Sequence, residues 1–219
     1  ASNRNIYVYL SSNAGGTTDN RVIALTLNAS YTLVGSRRDI VTGITYGDGA
    51  HNGGRIRFGP DQYLYITTGD THQGTVPQDL VQLGGKVLRV DRDGNAASGN
   101  NAPAGADPRI FAIGFRNIQG IGFRPLTGRP YILEHGPAYS DEVTPLTAGG
   151  NGGWHPICSD PNSSSYCGYD GKTLMTDTVQ FPNALPPAWT TGNDAAGLSG
   201  GTFLSGPQWR AWDGVLVAA

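Results

Sequence analysis

The sequence predicts an all-β protein built from blades of a β-propeller. Three observations carry that expectation. Glycine supplies 33 of the 219 residues and proline 14, against usual shares of about 7% and 5%, so chain reversals are frequent. Strand-like runs are short and closely spaced, and no window of a dozen residues holds a helical apolar stripe free of Gly and Pro. A hairpin pattern also recurs: Arg-Ile-Arg-Phe-Gly-Pro leading to Tyr63, and Gly-Ile-Gly-Phe-Arg-Pro leading to Tyr131, with Phe58 and Phe123, and Pro60 and Pro125, each 65 residues apart.

In chain order, residues 6–10 (Ile-Tyr-Val-Tyr-Leu) read as a strand, and 22–27 as a second with looser alternation. Residues 55–58 alternate, 59–62 (Gly-Pro-Asp-Gln) break the run as a turn, and 63–68 complete a hairpin. A short helical turn is expected within 77–83. Residues 86–90 form a strand closed by a turn at 91–94, and the small-residue stretch 95–105 reads as a surface loop inside one domain. Strands follow at 110–113, 121–123 and 131–133. A weaker third copy of the hairpin spans 202–204 and 215–217.

The chain holds between three and four steps of the repeat, whereas propellers close with about 4 to 8 blades. The expectation is one partial propeller domain over 1–219, completed by further segments, by another chain or by a homo-oligomer. Otherwise open edges would remain. A net charge of −2, with Lys+Arg 15 and Asp+Glu 17, leaves no basic footprint for nucleic acid. No apolar run is long enough for a membrane-spanning helix.

Cys158 and Cys167 stand nine apart in a loop-like segment and fit no zinc spacing. They read as a local disulfide, which implies an oxidising compartment; the alternative is a pair of buried thiols in a reducing one. Sequons at Asn28 and Asn162 fit secretion.

Chemistry-bearing residues fall in the loops flanking the repeated hairpins. His51 is a candidate general base, because imidazole titrates near working pH; the plainer reading is a histidine satisfying loop backbone. Asp70 could orient His51 or a substrate, or cap its own turn. Arg116 offers a planar, permanently charged donor fork for an anionic group, or a strand-end salt bridge. Glu142 with loop carbonyls could hold Ca²⁺. Residues 91–95 (Asp-Arg-Asp-Gly-Asn) look like the start of a calcium loop but lack its later glutamate, and read as a hairpin turn.

Taken together, His51-Asn52-Gly53-Gly54-Arg55, Phe58-Gly59-Pro60-Asp61, Thr68-Gly69-Asp70, Leu83-Gly84-Gly85-Lys86-Val87-Leu88-Arg89, Arg116-Asn117, Glu134-His135-Gly136-Pro137, Asp141-Glu142 and the glycine-rich run ending at Trp154 resemble the glucose/sorbosone dehydrogenase family, soluble aldose sugar dehydrogenases dependent on pyrroloquinoline quinone (PQQ). The resemblance implies a six-bladed propeller, PQQ and Ca²⁺ as cofactors, an aldose oxidised at C1, an external electron acceptor, and a secreted or periplasmic location. It implies His51 as the base that takes the proton of the anomeric hydroxyl while a hydride passes to the quinone, with Asp70 beside it. Arg116, Asn117 and His135 fall in its cofactor-binding set, Arg116 stabilising charge on the reduced quinone. The carbonyls of Gly136 and Pro137, supported by Glu142, fall in its metal set. Phe115, Ile118, Thr144 and Gly153 stand where the family usually has histidine, proline, asparagine and tyrosine. The family's PQQ-binding lysine and later arginines would follow the segment matching 215–219, and a first blade would precede residue 6. These departures leave a second reading, a non-catalytic extracellular propeller that binds or assembles.

Overall fold

A computed structural model describes residues 4–158 and 165–219. Its strands are β1 (Asn5–Ser12), β2 (Asp19–Leu27), β3 (Val34–Ile44), β4 (Ile56–Phe58), β5 (Leu64–Thr67), β6 (Val87–Val90), β7 (Ile110–Ile113), β8 (Ile118–Phe123), β9 (Pro130–Glu134), β10 (Glu142–Pro145), β11 (Gly150–Asn151), β12 (Trp189–Thr190), β13 (Gly201–Phe203) and β14 (Leu216–Ala218). Among the described residues helix is confined to short 3-10 turns at Val76–Gln78 and Pro207–Trp212, the first overlapping the expected helical turn.

Four sheets form in sequence order: β1-β2-β3, then β4-β5-β6-β7 extended by β11, then β8-β9-β10-β12, then β13-β14. All neighbours are antiparallel except β11, which joins β7 in parallel. The repeat is physical: Ile56–Phe58 pairs with Leu64–Ile66, and Ile121–Phe123 pairs with Pro130–Ile132, each hairpin opening a sheet.

Strand alternation explains why sheets stack as blades. In β5, Leu64 and Ile66 face a core shared with Val22, Ala24, Ile40 and Val41 of the preceding sheet, while Tyr65 faces the next core with Ile118, Ile121 and Ile132. In β9 the same alternation puts Ile132 in that second core and Leu133 in a third with Val143 and Leu198. Successive side chains point to opposite faces, so a strand buried on both sides reads as a continuous apolar run. The core is therefore a series of inter-sheet layers. Arg55, just before β4, and Arg57 within it reach the carbonyls of Gln119 and Ile121 and, beyond them, those of Ser199 and Gly201, tying three sheets together.

Four elements were not anticipated. β3 carries a long exposed stretch, Val34 to Asp39, with no apolar alternation; only Ile40, Val41 and Ile44 are buried, and irregular pairing with β2 holds the rest. β10, β11 and β12 are too short, and too rich in Gly, Pro and Thr, to announce themselves. The 95–105 loop is mostly exposed but is pinned by buried Asn100, whose amide donates to the Arg89 and Pro108 carbonyls. Residues 91–95 form a turn around Asp91, whose carboxylate accepts the Asp93 and Asn95 amides.

Candidate active site

Hairpin geometry gathers the site. The residue entering the first strand of a hairpin lies beside the residue leaving the second. His51 to Gly54 enter β4 while Thr68 to Asp70 leave β5, and the Gly54 amide donates to the Thr67 carbonyl. In the next sheet Arg116 and Asn117 enter β8 while His135 leaves β9, and the His135 amide donates to the Asn117 carbonyl. A bridge between Gly69 and Asn117 joins the two ends, and the Asp70 amide donates to the Arg116 carbonyl at 2.7 Å. A Cβ on Gly69 would collide with the His51 carbonyl, and one on Gly53 would sit 2.6 Å from the Thr68 backbone, so both glycines permit this close approach.

Asp70 is fully buried and organises the first half of the site. Its Oδ1 pairs with His51 Nδ1 at 2.8 Å and accepts the His72 amide at 3.1 Å. Its Oδ2 accepts Trp154 Nε1 at 2.8 Å and the Tyr166 hydroxyl at 2.9 Å. His51, Thr71 and His72 all adopt left-handed backbone (φ 46, 51 and 57), which is rare for non-glycine residues, especially β-branched ones, and concentrates at functional sites. Burial holds the His51 imidazole below its ordinary pKa; Asp70 pulls the other way, and Arg116 and His72 add repulsion. The far nitrogen of His51, Nε2, meets the Tyr169 hydroxyl at 2.8 Å.

The second half is differently made. The buried Arg116 guanidinium donates to the His135 carbonyl at 2.6 Å and lies 5.1 Å from the Tyr169 ring centre and 6.0 Å from that of Trp154. The Arg116 amide donates to Glu134. Glu134 and Glu142 are directly opposed across β9 and β10. Burial, then the neighbouring Glu142, lifts the Glu134 carboxyl well above its usual range, against the pull of Arg116. Burial lifts Glu142 to about 7 while the Thr176 hydroxyl bond opposes it. Asp141 ties the loop together, accepting the Gly136 amide on one oxygen and the amides of Ala196, Gly197 and Leu198 on the other. Among the described residues, three buried side-chain polar atoms lack a partner, Arg116 Nε, His135 Nδ1 and Thr144 Oγ1, and all three belong to this half.

Beneath the first half, the ammonium of fully buried Lys86 donates to the carbonyls of Val76, Pro77 and Gly84. Burial lowers its pKa to about 7, and three carbonyl acceptors match the three N–H bonds of the charged form. The loop so held carries Gln78, whose amide reaches the Trp154 carbonyl and Asn151.

His51, Asp70, Arg116, Asn117 and His135 thus converge, with Gly136 and Glu142 at the adjoining sheet end. Phe115 and Ile118, two of the departures from the family pattern, are buried core residues. Cys158 and Cys167 form a disulfide, which closes the segment leading to Tyr166 and Tyr169. Asn28 sits in a turn held by its own side chain; Asn162 lies outside the described residues. The sequence reading missed Tyr166, Tyr169 and the role of Trp154. Only the tryptophan lay in a recognisable motif. Among the described residues no cluster of three His, Cys, Asp or Glu side chains could hold a metal.

Stacked antiparallel sheets with a polar site where their hairpins meet define a partial β-propeller. The chain belongs to the family Glucose / Sorbosone dehydrogenase, whose pattern it matches over residues 1–219. It is 36% identical over 167 residues to the aldose sugar dehydrogenase YliI of Escherichia coli, covering 74% of this chain and 43% of that protein. It is 33% identical over 135 residues to quinoprotein glucose dehydrogenase B of Acinetobacter calcoaceticus, covering 53% and 28%. The solved PQQ-bound aldose sugar dehydrogenase of Streptomyces coelicolor superposes with a TM-score of 0.72 at 29% identity, covering 92% of this chain and 53% of that one. The chain spans less than half the length of the curated relatives it matches.

Proposed function

We propose that this chain carries the base-and-guanidinium half of an aldose sugar dehydrogenase that oxidises the sugar at C1 with PQQ and Ca²⁺ and passes electrons to an external acceptor. The observation that carries the reading is the His51–Asp70 pair at 2.8 Å with Arg116 anchored to the same strand end. Asp70, as acceptor, fixes the Nδ1–H tautomer and leaves Nε2 basic. A phenol oxygen already stands 2.8 Å from Nε2, the position a sugar hydroxyl would take. The depressed pKa keeps His51 neutral and able to accept a proton near neutrality.

The residues fit the cofactor. Arg116 has an unpaired buried Nε and aromatic neighbours, suited to a planar anion; Asn117 and the unpaired His135 nitrogen flank it. PQQ, when bound, supplies the hydride acceptor. The carbonyls of Gly136 and Pro137 would hold Ca²⁺ on a turn that Asp141 fixes, with Glu142 behind it. The rest of the propeller, from further segments or another chain, would complete the pocket of this partial domain. The disulfide supports a secreted or periplasmic location.

The test is to add PQQ and Ca²⁺ to the full-length protein and follow dye reduction with a panel of aldoses, alongside calorimetric binding of PQQ. Sugar-dependent reduction that disappears in His51→Ala is expected. No reduction, or reduction unchanged in His51→Ala, would overturn the reading. The second reading, a non-catalytic propeller, is favoured by Phe115 and Ile118 being given over to core packing; tight PQQ binding would count against it.

A further inference from the structure

A second imidazole–carboxylate pair lies against the first. His72 Nδ1 meets Asp48 Oδ2 at 2.7 Å, its Nε2 meets the Tyr169 hydroxyl at 3.0 Å, and the two imidazole rings are 4.0 Å apart, edge to face. The five groups form one hydrogen-bonded chain: Asp48, His72, Tyr169, His51, Asp70. Its protons can be counted. Carboxylates only accept, so each Nδ1 facing one must donate. Both Nε2 atoms then converge on a single phenol oxygen that has one proton to give. Two contacts with one donor leave one unmade, unless one imidazole also carries a proton on Nε2.

We propose that His72, with Asp48, is a positioning residue that shares one proton with His51 through the Tyr169 hydroxyl and thereby sets the ionisation of the base. This deepens the reading of His51 as base and rests on it. The extra proton sits on His72. That side chain is a quarter exposed, against 9% for His51, and its carboxylate partner is open to solvent. The Asp48 carboxyl is held below its usual range, first by the hydrogen bond with His72 and then by the Ala50 amide. Facing the pair from the other elements are Asp70 after β5, Arg116 before β8, and Tyr166 and Tyr169 on either side of Cys167. Arg116 and the His72 cation both oppose a proton on His51. In the one-proton state His72 Nε2–H donates to the Tyr169 oxygen and Tyr169 O–H donates to His51 Nε2. When a substrate hydroxyl takes the place of the Tyr169 hydroxyl at His51 Nε2 and gives up its proton, the two histidines hold two, and His72 sheds one to water. Charge and protons balance, and no other reactant is required.

The experiment is a pH titration of the histidine Cε1–Hε1 resonances in the ¹³C-labelled full-length protein, without cofactor, with signals assigned by His51→Gln and His72→Gln. The expected result is two linked steps more than about 1 pH unit apart, His72 taking the first proton. His72→Gln should raise the His51 midpoint by about 1 unit, because the competing cation is gone. Tyr169→Phe should shrink the separation from both ends, and Asp48→Asn should lower the His72 step. Circular dichroism checks that each variant folds. Independent single steps, with His51 unmoved by His72→Gln or Tyr169→Phe, would overturn the proposal. In the PQQ-loaded protein the acid limb of kcat/KM should move with the His51 midpoint. Absence of sugar oxidation in every variant would remove the proposed activity, while the titration still decides the proton sharing by itself.

Discussion

The hairpins β4–β5 and β8–β9 are copies in sequence and in register, yet the ends they present differ. At the first, Asp70 uses both oxygens on four donors, and His51 and His72 are bonded through both ring nitrogens. At the second, Arg116 Nε, His135 Nδ1 and Thr144 Oγ1 are buried without partners, and two carboxyls face each other. A buried polar group without a partner costs about 1–3 kcal/mol. The first end is therefore preorganised by the chain's own hydrogen bonds, whereas the second keeps buried donors and acceptors unpaired. The strands supply position; the residues just outside them supply chemistry.

The largest expected effect breaks the first end. His51→Ala should lower sugar oxidation about 10²- to 10⁴-fold while leaving PQQ binding nearly unchanged, measured by steady-state kinetics and calorimetry. Arg116→Lys should do the reverse at the second end. The fork becomes a point charge, and PQQ affinity should fall about tenfold or more, since hydrogen bonds to charged groups are worth about 1.5–3 kcal/mol. A pair of core substitutions sharpens the comparison. Ile66→Ala and Ile132→Ala remove fully buried side chains from matching strands and should each cost about 2–5 kcal/mol in denaturant unfolding; unequal costs would show that the copies are not equivalent scaffolds. Cys158→Ser removes a cross-link between cysteines nine positions apart and should cost about 2–3 kcal/mol, with the loss felt at Tyr166 and Tyr169 and so at the first end. The smallest effect is in pH. As the proposed base His51 must be neutral, and burial holds its imidazole below the ordinary range, so the acid limb of kcat/KM should lie at lower pH than that of an unperturbed imidazole. An acid limb at higher pH than an unperturbed imidazole's would contradict the burial of His51.

The two copies also show how legible the molecule was. Residues 55–68 and 120–134 announced their hairpins because the second strand of each is a mostly apolar run and a Gly-Pro or Arg-Pro turn follows the first. β3 was hidden because its exposed half buries nothing, and β10 to β12 because pairing in the sheet, not their own propensity, makes them strands. At the first end His51 and Asp70 could be singled out, since both flank the hairpin. Tyr169 could not, since 118 residues separate it from His51.

The sequence by itself determined the all-β class, the repeated hairpins, the family and the loops that hold the ionisable groups, because turn chemistry and two-residue alternation are local. Only the tertiary structure decided that Trp154, Tyr166 and Tyr169 close on Asp70 and His51, and that a second histidine joins them. A hydrogen bond between distant segments imposes no spacing on the chain. It exists only once the stacked sheets have brought their ends together.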